Sequence, residues 1–382
     1  MIYSNLILNN EIRDKINSFY LNNRLPNAFI FHGIEGIGKE AHAIEFFAFI
    51  NCEKKLVNEA CGICPSCKKT AILQHEFLNI ITPLPKSKSA NKNNNPIDCL
   101  TEKERNGLLE QFSKKSNNPY YKIKMDKANT ILISSIKHIK KNINLSISNN
   151  NIMVHLIFEA EKLCFPNQEA ANSLLKILEE PKKDNLFILI TSDINKIIDT
   201  ILSRCTQIYF PEIKQSLIKS KLQEEKNIKN ENAEIISKIS FGNIREAYSM
   251  ADSFDKDIKI IQKLIMAIIE NDIKSWNSMF NYNNKEKIQK TLNLLIIIFR
   301  DISFYFQDSK LCFSNFEDLY KKFINCYPID NYRNSIKIIN NANDYILRNG
   351  NLRLITLSLF FELIGLFKEN QDTTFSLSEW IN

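Results

Sequence analysis

A short apolar strand, a glycine-rich loop and a helix follow one another near the start of the chain, and this order constrains the fold. The strand pattern covers residues 28–32 and is followed by Gly33, Gly36, Gly38 and then Lys39. In such a loop the glycines let backbone N–H groups face phosphates at a helix N-terminus, and the lysine reaches the terminal phosphates. The spacing Gly33-x4-Gly38-Lys39 therefore predicts a phosphate-binding loop in a nucleotide-binding type of domain.

Short apolar strands alternate with helical patterns over about the first 210 residues. Further strands are predicted at residues 78–81, 153–158, 186–191 and 206–210, with helices between them. This alternation predicts a mostly parallel sheet with helices on both faces, the α/β class. Beyond Pro211 the strand patterns stop, and apolar residues at helical spacing predict an all-α region.

Two residue types that organise Mg²⁺ in nucleotide-hydrolysing proteins are replaced in this chain. Glu40 stands at the Ser/Thr position after the loop lysine, and Phe158 stands at the strand end where an Asp holds the metal. Glu159, the next residue, occupies the position that polarises water. Since metal bridging of the phosphates carries much of the catalysis, we expect no ATP hydrolysis here, and a vestigial or weak ATP/ADP site at the loop.

Four cysteines lie close together in the chain at spacings typical of metal ligands. Cys61, Cys64 and Cys67 form a C-x2-C-x2-C pattern, and Cys52 precedes it across eight residues. Four thiolates satisfy the tetrahedral preference of zinc and leave no open position, which predicts structural rather than catalytic Zn²⁺. Four free thiols and an iron–sulfur centre are the alternatives.

A basic segment covers residues 110–145. It holds eight Lys against Glu110 and Asp126, and Lys137, Lys140 and Lys141 cluster on a predicted helix. Contact with DNA phosphates is one interpretation. We expect instead a solvated face, because Lys is abundant throughout the chain.

Composition excludes several classes of protein. A hydrophobic fraction of 44% in 382 residues supports sizeable cores and excludes global disorder. The formal net charge of +7 permits nucleic-acid contact without arguing for it. The charged N-terminal residues do not resemble a signal peptide, and the apolar runs are too short to span a membrane. We expect a cytoplasmic protein with no membrane contact.

Five short motifs occur in a consistent order, and together they resemble the clamp-loader ATPases of bacterial DNA polymerase III. The resemblance covers about the first 250 residues. The motifs are Arg24–Ala28, Gly33–Lys39, Cys61–Cys67, Ala170–Pro181 and Leu202–Cys205.

The resemblance implies a three-domain organisation of the AAA+ kind. Residues 1–211 are expected to form a RecA-like parallel-sheet domain, with the zinc module at 52–67 and an insertion at about 83–130. Residues 212–254 correspond to a small helical lid. Residues 255–382 correspond to a C-terminal helical collar that mediates oligomerisation.

Two kinds of clamp-loader subunit share these motifs. Gamma/tau subunits hydrolyse ATP and keep an intact phosphate loop and an Asp-Glu strand end. Delta-prime subunits tolerate loss of these features but keep a Ser-Arg-Cys motif, present here as Ser203-Arg204-Cys205. The decayed nucleotide motifs, and an end at residue 382 without the tau-type extension, resemble the delta-prime kind.

Arg204 and Arg245 are the candidate functional arginines. The resemblance implies that Arg204 is an arginine finger, acting in trans on ATP bound by an adjacent gamma/tau subunit. The residues alone also allow Arg204 to cap the helix that ends near Leu202. Arg245 resembles the second sensor, which contacts a phosphate in its own chain, and a structural ion pair is the alternative. Thr191 stands at the first-sensor position.

The resemblance places the chain in a five-subunit complex with one delta and three gamma/tau subunits. It would help load the sliding clamp on primer–template DNA during replication, contacting clamp and DNA through the complex. Two alternatives stay open: an ATP-hydrolysing gamma/tau-type subunit, and a zinc-bearing DNA-binding module with a vestigial nucleotide fold.

Overall fold

A computed structural model describes residues 1–86, 96–143, 151–305, 311–327 and 332–368. Part of the predicted insertion at 83–130 and the last residues of the predicted collar lie outside the described residues. The chain divides into two compact units, one formed by residues 1–218 and 241–246, the other by residues 219–240 and 247–382.

The first unit is built on a parallel sheet. The described strands pair in the order β2-β3-β4-β1-β5, and every pairing is parallel. The predicted parallel α/β fold is therefore confirmed. The strands are β1 (Ala28–His32), β2 (Leu78–Ile81), β3 (Met153–Ile157), β4 (Asn185–Thr191) and β5 (Thr206–Tyr209).

Parallel strands end at one shared edge of a sheet, and ligand sites of such folds form there. His32 at the end of β1 pairs with Thr191 at the end of β4. The glycine loop follows His32, and Phe158 follows the last residue of β3. The glycine loop, the end of β3 and the end of β4, to which the sequence analysis assigned a role in nucleotide binding, thus lie at the same edge.

Helices pack on the sheet. Those of the first unit are α1 (Asn10–Leu21), α2 (Lys39–Asn51), α3 (Pro65–Ala71), α4 (Glu102–Asn117), α5 (Ile133–Asn142), α6 (Glu169–Glu179) and α7 (Asp199–Leu202). Helix α4 opens on a capping box, in which Thr101 and Glu104 each bond the other's backbone N–H.

Apolar residues at helical spacing, among them Ile12 and Ile16, predict a helix over residues 1–24. This prediction is wrong for the first nine residues, because α1 begins only at Asn10. The side chain of Asn9 caps α1 by accepting from the N–H of Ile12. Upstream, the N–H groups of Ile2 and Tyr3 donate to the carboxylate of Glu45 on α2, which holds this stretch extended.

After β5 all the regular structure described is helical, as predicted. The helices are α8 (Gln215–Lys226), α9 (Asn230–Ile239), α10 (Ile244–Ala251), α11 (Phe254–Glu270), α12 (Ile273–Ser278), α13 (Lys285–Phe304), α14 (Glu317–Cys326), α15 (Tyr332–Leu347) and α16 (Leu352–Phe367). The second unit buries Asp301, which accepts from the hydroxyl of Tyr320 and the N–H of Phe313. Within the described residues, no helix is long and apolar enough to cross a membrane.

Two buried histidines of the first unit are held in neutral form. His155 on β3 receives a bond from the amide of Asn79 at Nδ1 and bonds the amide oxygen of Asn185 through Nε2, so the proton sits on Nε2. His42 on α2 contacts the carbonyl of Gly38 through Nδ1 and accepts from the N–H of Asn9 at Nε2. Burial lowers the pKa of each imidazole to about 4.

This burial predicts acid sensitivity. Between about pH 6.5 and 4 the unfolded chain binds protons at these histidines that the folded chain does not, so stability is lost as pH falls through this window. Each histidine contributes a slope of up to about 1.4 kcal/mol per pH unit. Urea unfolding at a series of pH values should show a shallower slope for His155→Gln than for wild type; an unchanged slope would contradict the assignment.

Candidate functional site

The glycine loop has the backbone that a phosphate-binding loop requires. Gly36 and Gly38 lie at φ +75° and +89°, in the left-handed region that favours glycine. A Cβ on Gly36 would lie 1.8 Å from Oδ1 of Asn243, so a larger residue cannot be placed there without rearrangement. Helix α2 begins at Lys39, directly after the loop.

Lys39 is bound by its own loop. Its ammonium donates to the carbonyl oxygens of Gly33, at 2.7 Å, and Ile34. Burial lowers the pKa of Lys39 to about 8, although nearby carboxylates including Glu40 and Glu35 oppose the shift. Lys39, the residue that would reach terminal phosphates, is therefore present, but its ammonium is hydrogen-bonded to two loop carbonyls.

Glu40, at the Ser/Thr position, pairs with a lysine from 75 residues further along the chain. Lys115, in the last turn of α4, donates to the Glu40 carboxylate and to the carbonyls of Pro119 and Tyr121 at 2.9 and 2.8 Å. An ammonium has three N–H donors, so these three acceptors satisfy it. The side chain of Lys115 is only 1% exposed, and its burial lowers its pKa despite the attraction of Glu40.

Phe158 and Glu159 form the neighbouring wall. The buried ring of Phe158 lies with its centroid 5.8 Å from the ammonium of Lys115. Glu159 accepts from Lys122 at 3.0 Å and from Lys162 at 2.9 Å. The carboxylate at the water-polarising position is therefore engaged by two lysines.

Glu35, in the loop itself, completes the network. It accepts from Lys122 and, at 2.9 Å, from the guanidinium of Arg245. Burial alone would raise the pKa of Glu35, but these two cations outweigh it and lower the pKa to about 2. Arg245, the candidate second sensor, thus forms an ion pair with the loop.

Thr191, at the first-sensor position, is also engaged. It is buried at the end of β4, and its hydroxyl donates to the carboxylate of Glu161 at 2.6 Å. These residues line a cleft with a volume of about 50 Å³ that opens to solvent.

Sequence reasoning missed Lys115, Lys122 and Glu161. The expectation of a solvated face for the basic segment is wrong for Lys115 and Lys122, because both reach into the wall of this cleft and pair with carboxylates. One sequence feature pointed to their burial. Pro119-Tyr120-Tyr121 lies between the two lysines and is less polar than expected of a solvent-exposed basic segment.

Arg204 lies away from this cleft, just after α7. Its guanidinium donates to the carbonyl of Thr200 at 2.8 Å and pairs with Glu179, at the end of α6, at 2.9 Å. The side chain remains 36% exposed. The contact with Thr200 is the helix cap that the residues alone allowed, and Glu179 fixes the direction of the side chain. Burial of Cys205 raises the pKa of its thiol to about 12, as suits a packing residue.

The four predicted zinc ligands converge. The Sγ atoms of Cys52, Cys61, Cys64 and Cys67 all lie within 4.8 Å of one another, and three of the pairs are 3.7 to 3.9 Å apart. Four sulfurs placed tetrahedrally at about 2.3 Å from zinc would lie roughly 3.8 Å apart, whereas a disulfide would bring two of them to about 2.0 Å. The cluster therefore fits a zinc ion.

Backbone donors around the cluster favour thiolates. The N–H groups of Cys61, Cys64 and Cys67 point at sulfurs of preceding cysteines, at 3.3 to 3.4 Å. Hydrogen bonds from the N–H groups of Ile63 and Cys64 lower the pKa of the Cys61 thiol to about 6, whereas burial raises the pKa of the Cys52 and Cys67 thiols. Such donors orient metal ligands and stabilise their charge.

Comparison with known proteins decides the family. A family model described as DNA polymerase III, delta subunit, matches residues 8–214, more than half of the chain. The chain belongs to this family. The resemblance drawn from the sequence motifs is thereby confirmed.

Curated relatives of this family member include DNA polymerase III subunits. The tau subunit of Bacillus subtilis is 24% identical over 81% of this chain and 50% of its own length. The delta-prime subunit of the same organism is 24% identical over 77% of this chain and 78% of its own length. The chain spans half or less of the length of the tau relatives, falling to 29% for tau of Escherichia coli.

Among solved structures, a DNA polymerase III gamma subunit-related protein from Thermotoga maritima aligns with 89% of this chain and 94% of its own. The sequences are 14% identical and the TM-score is 0.40.

The four-cysteine cluster of this family member predicts one bound zinc per chain. Cys64→Ser removes one thiolate, and we expect loss of stoichiometric zinc together with a lower melting temperature, because a structural zinc site contributes folding energy. Elemental analysis and thermal unfolding measure both effects. Cys326→Ser, at an exposed cysteine outside the cluster, is the matched control. Full zinc retention by Cys64→Ser would contradict the assignment.

Proposed function

We propose that this chain is a delta-prime-type subunit of a DNA polymerase III clamp loader and does not hydrolyse ATP. The proposal rests on the residues that stand at the two positions where Mg²⁺ would be held. Glu40 is paired with Lys115, and Phe158 offers a ring where a carboxylate would hold the metal. Without these ligands the phosphates lose the metal bridging on which hydrolysis depends.

The role that we propose for the chain is to complete the ATP site of a neighbouring gamma/tau subunit with Arg204. A guanidinium carries five N–H donors, and Thr200 and Glu179 leave part of this fork available for a phosphate. The side chain is exposed enough to reach another molecule. Its contact with Glu179 would orient it before the neighbour binds, so less conformational entropy is lost on assembly.

Further elements of the proposal follow from this role. The chain would assemble with delta and gamma/tau subunits in the cytoplasm and reach the sliding clamp and primer–template DNA through that complex. Residues 212–254 would act as the lid, and residues 255–382 as the collar that joins the subunits. The structural cofactor would be zinc, with the loop glycines, Lys39 and Arg245 as the remnant of a nucleotide site.

One alternative function has an observation in its favour. Several relatives are tau or gamma subunits, and Lys39 of the phosphate loop is retained. An ATP-hydrolysing gamma/tau-type subunit would use Lys39 in its own chain. ATP turnover by the isolated protein that disappears in Lys39→Ala would establish this alternative.

The trans role of Arg204 predicts a specific defect in the reconstituted loader. ATP turnover is measured with delta and gamma/tau subunits, clamp and primed DNA, in the presence of wild type or Arg204→Ala. We expect Arg204→Ala to lose the increase in turnover that the wild-type chain adds, since an arginine finger is worth about 10³-fold or more at its own site. The loss should lie in kcat, with little change in KM for ATP.

Two controls separate catalysis from assembly. Arg105→Ala removes an exposed arginine on α4 and should behave as wild type. Gel filtration shows whether Arg204→Ala still joins the complex. An assembled complex in which Arg204→Ala turns over ATP at the wild-type rate would overturn the finger assignment and leave Arg204 as a helix cap.

A further inference from the structure

The ammonium of Lys115 lies between the two side-chain positions that would hold Mg²⁺ in a nucleotide-hydrolysing domain. It donates to Glu40, at the Ser/Thr position, and lies over the ring of Phe158, at the Asp position. In nucleotide-hydrolysing proteins the residues at both of these positions hold the metal ion. A cation attached to the chain itself is thus placed where a divalent cation would otherwise be held.

The residues that follow Lys115 also contact the glycine loop and the end of β3. Tyr120 accepts a hydrogen bond from the N–H of Ile7 through its hydroxyl, at 2.6 Å. A Cβ built on Gly38 would lie 3.2 Å from its ring, so the ring covers the last glycine of the loop. Lys122 then pairs with Glu35 and Glu159. Residues 115–122 therefore lie along the loop from the start of α2 to the end of β3.

The charges within this arrangement are matched. Lys115 faces Glu40, Lys122 faces Glu35 and Glu159, and Arg245 faces Glu35. The side chains of Glu40 and Glu159 are only 19% and 13% exposed, and carboxylates placed in this way are stabilised by neighbouring cations. In an ATP-binding domain Mg²⁺ and the loop lysine balance the phosphates, whereas here lysines balance carboxylates.

We propose that residues 115–122 act as an intramolecular ligand of the phosphate loop, with Lys115 in the place of the metal ion. The loop is then closed to Mg²⁺–nucleotide and ordered without it. This inference goes beyond the proposed function, because it concerns the isolated chain and does not depend on Arg204 or on any partner subunit.

Hydrogen–deuterium exchange of the isolated full chain tests the proposal. Lys115→Met keeps the length of the side chain and removes its charge. Lys114→Met, at an exposed neighbour that pairs with Glu110 in the same helix, is the matched control. We expect Lys115→Met to raise amide exchange at residues 33–40 and 1–8 by about tenfold or more, with the sheet strand at 185–191 unchanged. Lys114→Met should match wild type.

Two further measurements keep the proposal falsifiable. If Lys115→Met does not fold, Glu40→Gln removes the other charge and should raise exchange at residues 33–40 in the same way. In the wild-type chain, millimolar Mg²⁺–ATP should leave exchange at residues 33–40 unchanged. Equal exchange at these residues in Lys114→Met and Lys115→Met, or slower exchange there on adding Mg²⁺–ATP to wild type, would overturn the proposal.

Discussion

The ion pair between the buried ammonium of Lys115 and the partly buried carboxylate of Glu40 is the interaction on which the arrangement around the glycine loop depends. It joins the last turn of α4 to the first turn of α2, across 75 residues of sequence. The loss of Glu40 would leave the buried ammonium of Lys115 without its carboxylate, and the loss of a partner from a buried ion pair costs up to about 3–5 kcal/mol. The backbone of Lys115 also accepts from the hydroxyl of Tyr3, so the extended N-terminal stretch rests on the same residue.

The four-cysteine cluster fixes the opposite end of α2. Cys52 follows α2 directly, and the other three ligands come from the loop and the start of α3. The N-terminal amine of Met1 donates to the carbonyl of Ala60 beside the cluster. Helix α2 is thus held by an ion pair at its start and by the cysteine cluster at its end. Contacts at both ends of this helix would suit a subunit whose proposed task is to present Arg204 to a neighbour.

The sequence alone predicted the features that depend on residues close together in the chain. Apolar runs located the strands, and the C-x2-C-x2-C spacing located the cluster, because hydrophobic period and ligand spacing act over a few residues. The pairing of Lys115 with Glu40 could not be predicted from the sequence, since the two residues are 75 positions apart and one lysine is uninformative among so many. The first nine residues do not form the predicted helix because partners in other elements accept their N–H groups, Glu45 those of Ile2 and Tyr3 and Tyr120 that of Ile7. The guanidinium of Arg204 caps α7 through the carbonyl of Thr200 and remains partly exposed. Its action on a neighbouring subunit stays a prediction.

The coupling between Lys115 and Glu40 is the most direct measure of this account. Urea unfolding of wild type, Lys115→Met, Glu40→Gln and the double variant gives the interaction free energy as a double-mutant cycle. We expect a favourable coupling of about 2 kcal/mol or more, with the double variant more stable than the sum of the single losses implies. Losses that add within about 0.5 kcal/mol would show that the two residues do not act as a unit, and would contradict the account.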